Sequence, residues 1–207
     1  MGADVLAVLP ELTLLVGAVV CLLLGSWTPR GRQHRVGVVA ALASLAGAGF
    51  AVVGLMDGPT SAFSGTIAID EATGVLRLVI TLALLILLVL ARGEIAHHPR
   101  ESEVYVLLLL GADGVLLLGA ATDLAVLVVA FLLASIPLYG LVGLSAGKAA
   151  PEAALKTYLV GALSGILMML GASVLFGLIG STAYSDLDGG LSSAPSASLT
   201  SLPSGQG

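Results

Sequence analysis

Charged side chains are scarce in this chain of 207 residues, and their scarcity narrows the class of protein at once. Only 10% of the residues are Asp, Glu, Lys or Arg, whereas 57% are hydrophobic. A soluble domain is nearer a quarter charged, so this composition cannot cover a folded chain with a water-facing surface. The sequence therefore predicts a protein whose solvent is lipid.

Cysteine, basic residues and the motifs of soluble enzymes are also rare or missing. The single cysteine, Cys21, excludes a disulfide framework. The 8 Lys and Arg against 13 Asp and Glu argue against nucleic acid as a partner. The sequence carries no phosphate loop, dinucleotide fingerprint, zinc motif or nucleophile elbow. We therefore expect no bound cofactor, no metal site and no catalytic residue in this chain, and any chemistry would come from charges inside the membrane.

What the sequence does contain is six apolar segments, each near the ~20 residues that cross a bilayer core. They cover residues 5–26, 36–56, 72–91, 103–121, 124–144 and 154–180. The sequence thus predicts an all-α, polytopic membrane helix bundle over residues 1–181. Residues 182–207 are rich in Ser, Gly and Pro and show no periodicity, which predicts a low-complexity, disordered tail.

The basic residues predict how the bundle is oriented. Seven of the 8 fall in or beside loops on one side of the predicted bundle: Arg30, Arg32, Arg35, Arg92, Arg100, Lys148 and Lys156. The positive-inside rule places those loops in the cytoplasm and both termini on the outer face. We expect a multi-pass protein of the cell inner or plasma membrane, surrounded by the lipid bilayer.

Ionisable side chains at membrane depth are costly, and they are functional candidates by default. Asp113 is the clearest case, because it lies far from either end of its apolar segment, between Gly111 and Gly114. Two interpretations stay open for it. It is either a neutral polar contact with a neighbouring helix or a carboxylate in a proton relay.

Three other ionisable residues lie nearer the ends of their segments. Each has a structural interpretation, and Glu11 and Lys156 are also candidates for a proton path. Glu11 is either a carboxylate at headgroup level or a member of a proton path. Lys156 lies about one turn into the sixth segment, from which its side chain can snorkel to the surface. An ion pair with Asp70 or Glu71 would account for Arg77 at the start of the third segment.

Several stretches of the chain, taken together, resemble one family. They are Leu9-Pro10-Glu11, Ala121-Thr122-Asp123-Leu124, Ser135-Ile136-Pro137-Leu138-Tyr139, and Glu152-Ala153-Ala154-Leu155-Lys156 followed by Tyr158. Over residues 5–182 the chain resembles the N-terminal part of the subunit N family of proton-pumping NADH-quinone oxidoreductase (respiratory complex I), whose wider relatives are antiporter-like subunits. The resemblance implies a membrane-arm subunit, associated with proton translocation coupled to electron transport to quinone, whose partners are other membrane-arm subunits.

Two departures from the family pattern bear on function. The later helices, whose lysines transfer protons in the family, have no counterpart here. In the family a glutamate stands five residues before the proline of the Ser135–Tyr139 stretch, beside a local break in the helix. Here Pro137 is that proline, and Leu132 occupies the position of the glutamate. Leu132 and Asp113 each lie ~14 Å from the turn at residues 122–123, at ~1.5 Å per residue. This equal depth gives the hypothesis that a carboxylate has moved from the place of Leu132 to Asp113.

Three functions stay open at this point. The chain is a membrane-arm subunit of NADH-quinone oxidoreductase or a truncated paralogue, a non-transporting structural or assembly protein, or a component of a cation/proton antiporter. Glu11, Asp113 and Lys156 are too sparse for a complete proton path, because a relay needs groups at hydrogen-bond reach. We therefore expect that this chain alone is not catalytic.

Overall fold

The computed structural model describes residues 7–29, 33–57, 60–62, 66–95, 100–145, 147 and 149–187. Within this part, six helices are long and apolar enough to cross a membrane. They are α1 (Leu9–Trp27), α2 (His34–Asp57), α3 (Glu71–Ile95), α4 (Glu101–Ala120), α5 (Leu124–Leu144) and α6 (Ala150–Ile179). The predicted all-α membrane bundle is confirmed, with helix ends within a few residues of the predicted segments.

The ends of the helices follow from local sequence. Pro10 and Pro151 lie in the first turns of α1 and α6, where a missing N–H costs nothing. Asp123 caps α5, because its Oδ1 accepts hydrogen bonds from the N–H groups of the next turn. Gly180 ends α6 in the left-handed conformation, with φ of 79°, and its N–H donates to the Phe176 carbonyl at 2.7 Å.

The core of the bundle is built by the first four helices. α1 packs against α2 and α4, and α3 packs against α2 and α4, whereas α6 packs mainly against α5. The buried apolar side chains of the core are Leu14, Ala18, Cys21, Val36, Ala40, Leu84, Leu88, Tyr105, Val106, Leu109 and Leu116. Most of the surface of α6 is exposed, which suits a helix in contact with lipid or with further helices.

A small β-structure, which the sequence did not predict, closes one end of the bundle. Strands β1 (Thr60–Ala62) and β2 (Ile67–Ile69) pair antiparallel between α2 and α3. The turn between α4 and α5 joins them, since the Thr122 N–H donates to the Thr66 carbonyl at 3.1 Å. We call the end that carries these strands and this turn the hairpin end.

Residues 182–187, which the sequence assigned to a disordered tail, are ordered at the hairpin end. The Leu124 N–H donates to the Thr182 carbonyl and the Tyr184 N–H donates to the Thr122 carbonyl, both at 2.9 Å. The turn between two helices leaves backbone groups without helical partners, and this segment pairs with them. Residues 188–207 lie outside the described residues, and the division into a bundle and a tail stays a prediction.

Candidate functional site

A buried ion pair joins α1 and α3 near the hairpin end. Arg77 Nη2 lies 2.6 Å from Glu11 Oε1, and the two side chains are only 3% and 6% exposed. Arg77 Nε donates to the same oxygen at 2.7 Å, and Nη1 donates to the Ala7 carbonyl at 3.3 Å. Glu11 is therefore buried among the helices and paired with Arg77, in the first turn of α1. Its placement at headgroup level stays a prediction.

The partner of Arg77 also differs from the one that the sequence suggested. Asp70 and Glu71 are exposed, and Asp70 Oδ1 is occupied as a cap, accepting a hydrogen bond from the Thr73 N–H at 2.8 Å. This bond lowers the pKa of Asp70 below its usual value. The Arg77 side chain points into the bundle, away from exposed Asp70 and Glu71. It lies on the buried face of α3, with Thr73 and Thr81 at helical spacing.

A line of hydroxyl groups continues from the ion pair into the bundle. Thr81 Oγ1 donates to the Arg77 carbonyl at 2.8 Å, and Ser44 Oγ of α2 donates to the Thr81 carbonyl at 2.7 Å. Both hydroxyl residues are fully buried. Polar residues recur every four positions in the apolar α3 segment, at Thr73, Arg77 and Thr81. This pattern indicates a polar face of the helix, and the sequence analysis missed it.

Asp113 lies on the core face of α4, the helix that packs against α1 and α3. It is 2% exposed and shares this face with Leu109 and Leu116 at helical spacing. α4 packs against α1, where a Cβ added to Gly17 would lie 4.0 Å from Leu109 Cδ1.

Within the described part of the chain, neither Asp113 Oδ1 nor Glu11 Oε2 has a hydrogen-bond partner. Arg77 Nη2 is also buried without a hydrogen bond of good geometry, although it lies 2.6 Å from Glu11 Oε1. The helices α1, α3 and α4 thus bury two carboxylates and one guanidinium.

The opposite face of α4 carries the two glycines and packs closely on α5. A Cβ added to Gly114 would meet the backbone of Ala134, and one added to Gly111 would lie 3.8 Å from Pro137 Cβ. On α5, Ala130, Ala134 and Pro137 are the buried residues of this contact. The glycines let two backbones approach, as small residues do at membrane helix crossings.

Asp113 and Leu132 point away from each other. Asp113 faces the core of α1–α4, whereas Leu132 lies seven residues before Tyr139, on the side of α5 where Tyr139 contacts Gly161 of α6. The two side chains are on opposite sides of the α4–α5 hairpin. This geometry contradicts the hypothesis that the carboxylate has moved from the place of Leu132 to Asp113.

Pro137 does not interrupt its helix. α5 is helical from Leu124 to Leu144, so the predicted helix break is absent from this described segment. Pro137 has no N–H for the carbonyl one turn back, but nearby Ser135 Oγ donates to the Phe131 carbonyl at 2.6 Å. Side-chain hydroxyls and close neighbours let proline stay within membrane helices, and here Pro137 packs against Gly111.

Lys156 lies far from the buried charges. Its Nζ is 2.6 Å from Glu152 Oε1, and both side chains are largely exposed, at 72% and 69%. Two residues after Lys156, Tyr158 packs edge-on against Tyr139 of α5, with ring centroids 5.9 Å apart. The structure therefore buries Glu11 and Asp113 on two helices that pack together and leaves Lys156 on the surface of α6.

A second buried polar contact, which the sequence analysis also missed, lies at the opposite end of α4. Tyr105 Oη donates to Glu101 Oε1 at 3.2 Å, and both residues are buried. Glu101 looks in sequence like an ordinary exposed residue of a first helical turn. Among the described residues no three His, Cys, Asp or Glu side chains are grouped as metal ligands would be.

Comparison with known proteins agrees with this architecture. The family model described as NADH:quinone oxidoreductase/Mrp antiporter, TM, matches residues 121–202. NADH-quinone oxidoreductase subunit N of Mycobacterium sp. (strain JLS) is 47% identical over 91% of this chain and 40% of that protein. Subunit N 1 of Streptomyces griseus is 44% identical over 95% of this chain and 42% of that protein.

A solved structure shares the fold. A chain of respiratory complex I from Thermus thermophilus superposes with a TM-score of 0.72 at 28% sequence identity, over 88% of this chain and 42% of that chain. The chain thus spans about two fifths of the length of the curated relatives that it matches. It is a multi-pass membrane protein, and over that length it is similar to the antiporter-like membrane subunits named NADH-quinone oxidoreductase subunit N.

Proposed function

We propose that this chain is a membrane-arm subunit of a respiratory complex of the NADH-quinone oxidoreductase type, associated with proton translocation coupled to electron transport. The observation that carries the proposal is the 47% identity to subunit N of Mycobacterium over 91% of the chain. Its partners are then other membrane-arm subunits. NADH oxidation and its cofactors belong to other subunits in this proposal, and the chain binds no cofactor itself.

In this role the chain supplies part of a proton path rather than a whole one. Glu11, Arg77 and Asp113 are each buried in the bundle, whereas Lys156 is exposed on α6. A proton moves between groups that are about 2.6–3.2 Å apart or joined by a water. Further helices of the assembled complex would have to complete the route.

We propose the orientation that the basic loops predict, with the hairpin end on the outer face of the cell inner or plasma membrane. Exposed Ser185 lies at the hairpin end and exposed Ser145 at the other. A membrane-impermeant maleimide added to intact cells should label a Ser185→Cys variant and leave a Ser145→Cys variant unlabelled until the cells are lysed. The reverse pattern would overturn the orientation. Buried Cys21 needs no replacement.

Purification of the tagged chain from a mild-detergent extract, followed by mass spectrometry, tests the main proposal. We expect the other membrane-arm subunits of NADH-quinone oxidoreductase to co-purify in fixed proportion. An unrelated tagged six-helix protein at equal expression is the control for carry-over. Recovery of the chain without those subunits would favour a structural or assembly protein outside the complex.

A second candidate is a component of a cation/proton antiporter, because the matching family model names Mrp antiporters beside the oxidoreductase. The same purification separates the two candidates, since antiporter subunits would then replace the oxidoreductase subunits. A sodium-dependent proton flux in vesicles that hold the purified assembly, unaffected by NADH, would also favour this second candidate.

A further inference from the structure

A polar cavity lies between α1 and α4 at the end of the bundle opposite the hairpin end. Its volume is about 390 Å³. Its lining comes from the last turns of α1, the residues between α1 and α2, and the first two turns of α4, and it includes Leu22, Thr28, Gln33, Ser102, Glu103 and Val106. A cavity of this size is large enough for a small polar molecule or for the headgroup of a lipid.

Gln33 is the residue of this cavity whose side chain lacks a partner. It is only 7% exposed, and its Oε1 is buried with no hydrogen-bond donor in the described part of the chain. The Gln33 carbonyl accepts from the Val36 N–H at 2.9 Å, so the start of α2 holds the backbone of Gln33 in place. A buried amide oxygen without a donor is destabilising, and a donor inside the cavity would remove that cost.

The other polar side chains of the cavity favour a cation as that donor. Glu103 supplies a carboxylate, and no Lys or Arg is among the described residues that line the cavity. Arg100 Nε lies 3.9 Å from Glu103 Oε2, but the two side chains are 61% and 52% exposed, so this pair is weak. Ser102 adds a buried hydroxyl at the contact of α4 with α1, where a Cβ added to Gly25 would lie 2.7 Å from Ser102 Oγ.

We propose that this cavity binds a primary ammonium group, which is the chemistry that a phosphatidylethanolamine headgroup and a free amine share. The three N–H donors of an ammonium match three acceptors of the cavity, namely Gln33 Oε1, the Ser102 hydroxyl and the Glu103 carboxylate. A single lining carboxylate is too few for a divalent metal ion, which takes several oxygen ligands. The site goes beyond the proposed function, because it needs no partner subunit.

The position of the cavity favours a lipid headgroup as the source of the ammonium. The membrane-spanning helix α1 ends here and α4 begins here, which is the level at which headgroups lie. The side chain of Trp27 is exposed at the same end of α1, as tryptophans are at membrane interfaces. Leu22 and Val106 give the cavity an apolar side, which suits a lipid better than a small free amine.

Thermal unfolding of the full chain tests the site without any partner protein. The chain is held in maltoside micelles in an amine-free buffer, and one phospholipid is added at a time. Phosphatidylethanolamine should raise the unfolding midpoint of the wild type above its value in phosphatidylcholine with the same acyl chains. The headgroup methyl groups of phosphatidylcholine keep the charge and remove the N–H donors. Phosphatidylglycerol, which has no ammonium, should give no such rise.

Gln33→Met keeps the length of the side chain and removes the amide. In phosphatidylcholine its midpoint should be no lower than that of the wild type, because no buried oxygen is then left without a donor. Phosphatidylethanolamine should no longer raise it. A merely structural glutamine would instead make Gln33→Met less stable in every lipid.

Two matched carboxylate variants test the charge. Glu103→Gln should weaken the response to phosphatidylethanolamine, because the ammonium loses a charge-assisted hydrogen bond. Glu152→Gln should leave the response unchanged, since Glu152 is an exposed carboxylate beside Lys156 at the same end of the bundle. Native mass spectrometry of the same samples should show that the wild type retains phosphatidylethanolamine in preference to phosphatidylcholine, and that Gln33→Met loses this preference.

Ethanolamine added to lipid-free micelles separates the two sources of the ammonium. No stabilisation by ethanolamine, together with the response to phosphatidylethanolamine, identifies the lipid; stabilisation of the wild type but not of Gln33→Met identifies a free amine as a ligand of the same site. The proposal is overturned if the wild type responds equally to the three lipids and not to ethanolamine, if phosphatidylglycerol alone stabilises it, or if folded Gln33→Met keeps the wild-type response. Failure of the chain to co-purify with a respiratory complex would overturn the proposed function and leave this result unaffected.

Discussion

At the scale of single residues, burial decides what each charge does. Glu11 and Lys156 carry opposite charges and each has an oppositely charged partner at 2.6 Å. The partner of Glu11 is buried with it, whereas the Lys156 pair is largely exposed. Exposed pairs contribute about 0–1 kcal/mol, but breaking a buried pair strands a charge in a medium that solvates it poorly.

The Glu11–Arg77 pair gives the first prediction. Arg77→Met should lower the free energy of unfolding by about 3–5 kcal/mol, because Glu11 loses its counter-ion. Lys156→Met is the matched control and should lower it by less than about 1 kcal/mol. Unfolding in mixed detergent micelles, followed by circular dichroism, measures both. Equal losses in the two variants would show that burial of the Glu11–Arg77 pair has no energetic consequence.

Asp123 gives a prediction about pH. The Thr182 hydroxyl donates to its Oδ2 at 2.6 Å and lowers the pKa of Asp123, and the N–H groups of Ala125 and Val126 act in the same sense. A depressed folded-state pKa means that the stabilisation is complete above the ordinary value of about 3.9 and is lost as pH falls through the folded value. Thr182→Val should move the pKa of Asp123 back towards the ordinary value. The stabilisation by Asp123 should then be lost at a less acidic pH.

The measurement for Asp123 is the unfolding free energy as a function of pH in the wild type, Thr182→Val and Asp123→Asn. We expect the advantage of the wild type over Asp123→Asn to be constant near neutral pH and to vanish in acid. Ser181→Ala is a suitable control, because its hydroxyl binds exposed Asp186 instead. An advantage that persisted at the lowest pH would mean that the carboxylate charge is irrelevant to the cap.

At the scale of elements, the α4–α5 hairpin depends on the closeness of two backbones. A Cβ at Gly114 would collide with the backbone of Ala134, which cannot move aside as a flexible side chain would. At Gly111 the nearest atoms are 3.8 Å away, an ordinary contact distance. The two glycines share a face of α4, yet only one of them is required by the packing.

Alanine substitutions test this difference. Gly114→Ala should lower the free energy of unfolding by about 1–3 kcal/mol, the usual cost of overpacking. Gly111→Ala should be neutral or stabilising by up to about 1 kcal/mol, because alanine favours the helix and has space there. Gly171→Ala on α6, where nothing lies within 4 Å, is the control for helix propensity. Destabilisation by Gly111→Ala as large as that by Gly114→Ala would contradict the packing described here.

At the scale of the whole molecule, the sequence predicted what composition and segment length decide. Long uncharged segments satisfy their backbone hydrogen bonds in lipid by forming helices. The number of helices and the approximate positions of their ends could therefore be predicted from the sequence. Contacts between distant segments could not be read in this way. Glu11 and Arg77 are 66 residues apart, and the pairing of residues 182–184 with the α4–α5 turn uses backbone groups that every residue carries. The face of Asp113 was also undetermined, because depth along a helix does not fix direction around it.

Two groups of buried ionisable side chains lie towards opposite ends of the described part of the bundle. Asp113 and the Glu11–Arg77 pair lie near the hairpin end, and the Glu101–Tyr105 contact lies towards the other. Along α4, eight residues separate Asp113 from Tyr105, or ~12 Å at ~1.5 Å per residue. On α4 the buried residue midway between them is apolar Leu109, 0% exposed. The buried hydroxyls of Thr81 and Ser44 at this depth donate to the backbone carbonyls of α3. Among the described side chains no hydrogen bond joins one group to the other, and a proton moves in hydrogen-bonded steps of about 3 Å.

The last prediction follows from the separation of these two groups. In liposomes loaded with a pH-sensitive dye, the purified chain alone should pass protons no faster than protein-free liposomes under an imposed potential. Leu109→Gln should raise the flux, because a polar side chain between the two groups shortens each step of the route. Leu163→Gln, on the exposed surface of α6, is the control for the effect of a polar substitution on membrane integrity. A wild-type flux that Asp113→Asn abolishes would mean that the two groups are connected within this chain, and buried Leu109 would then not be part of a barrier between them.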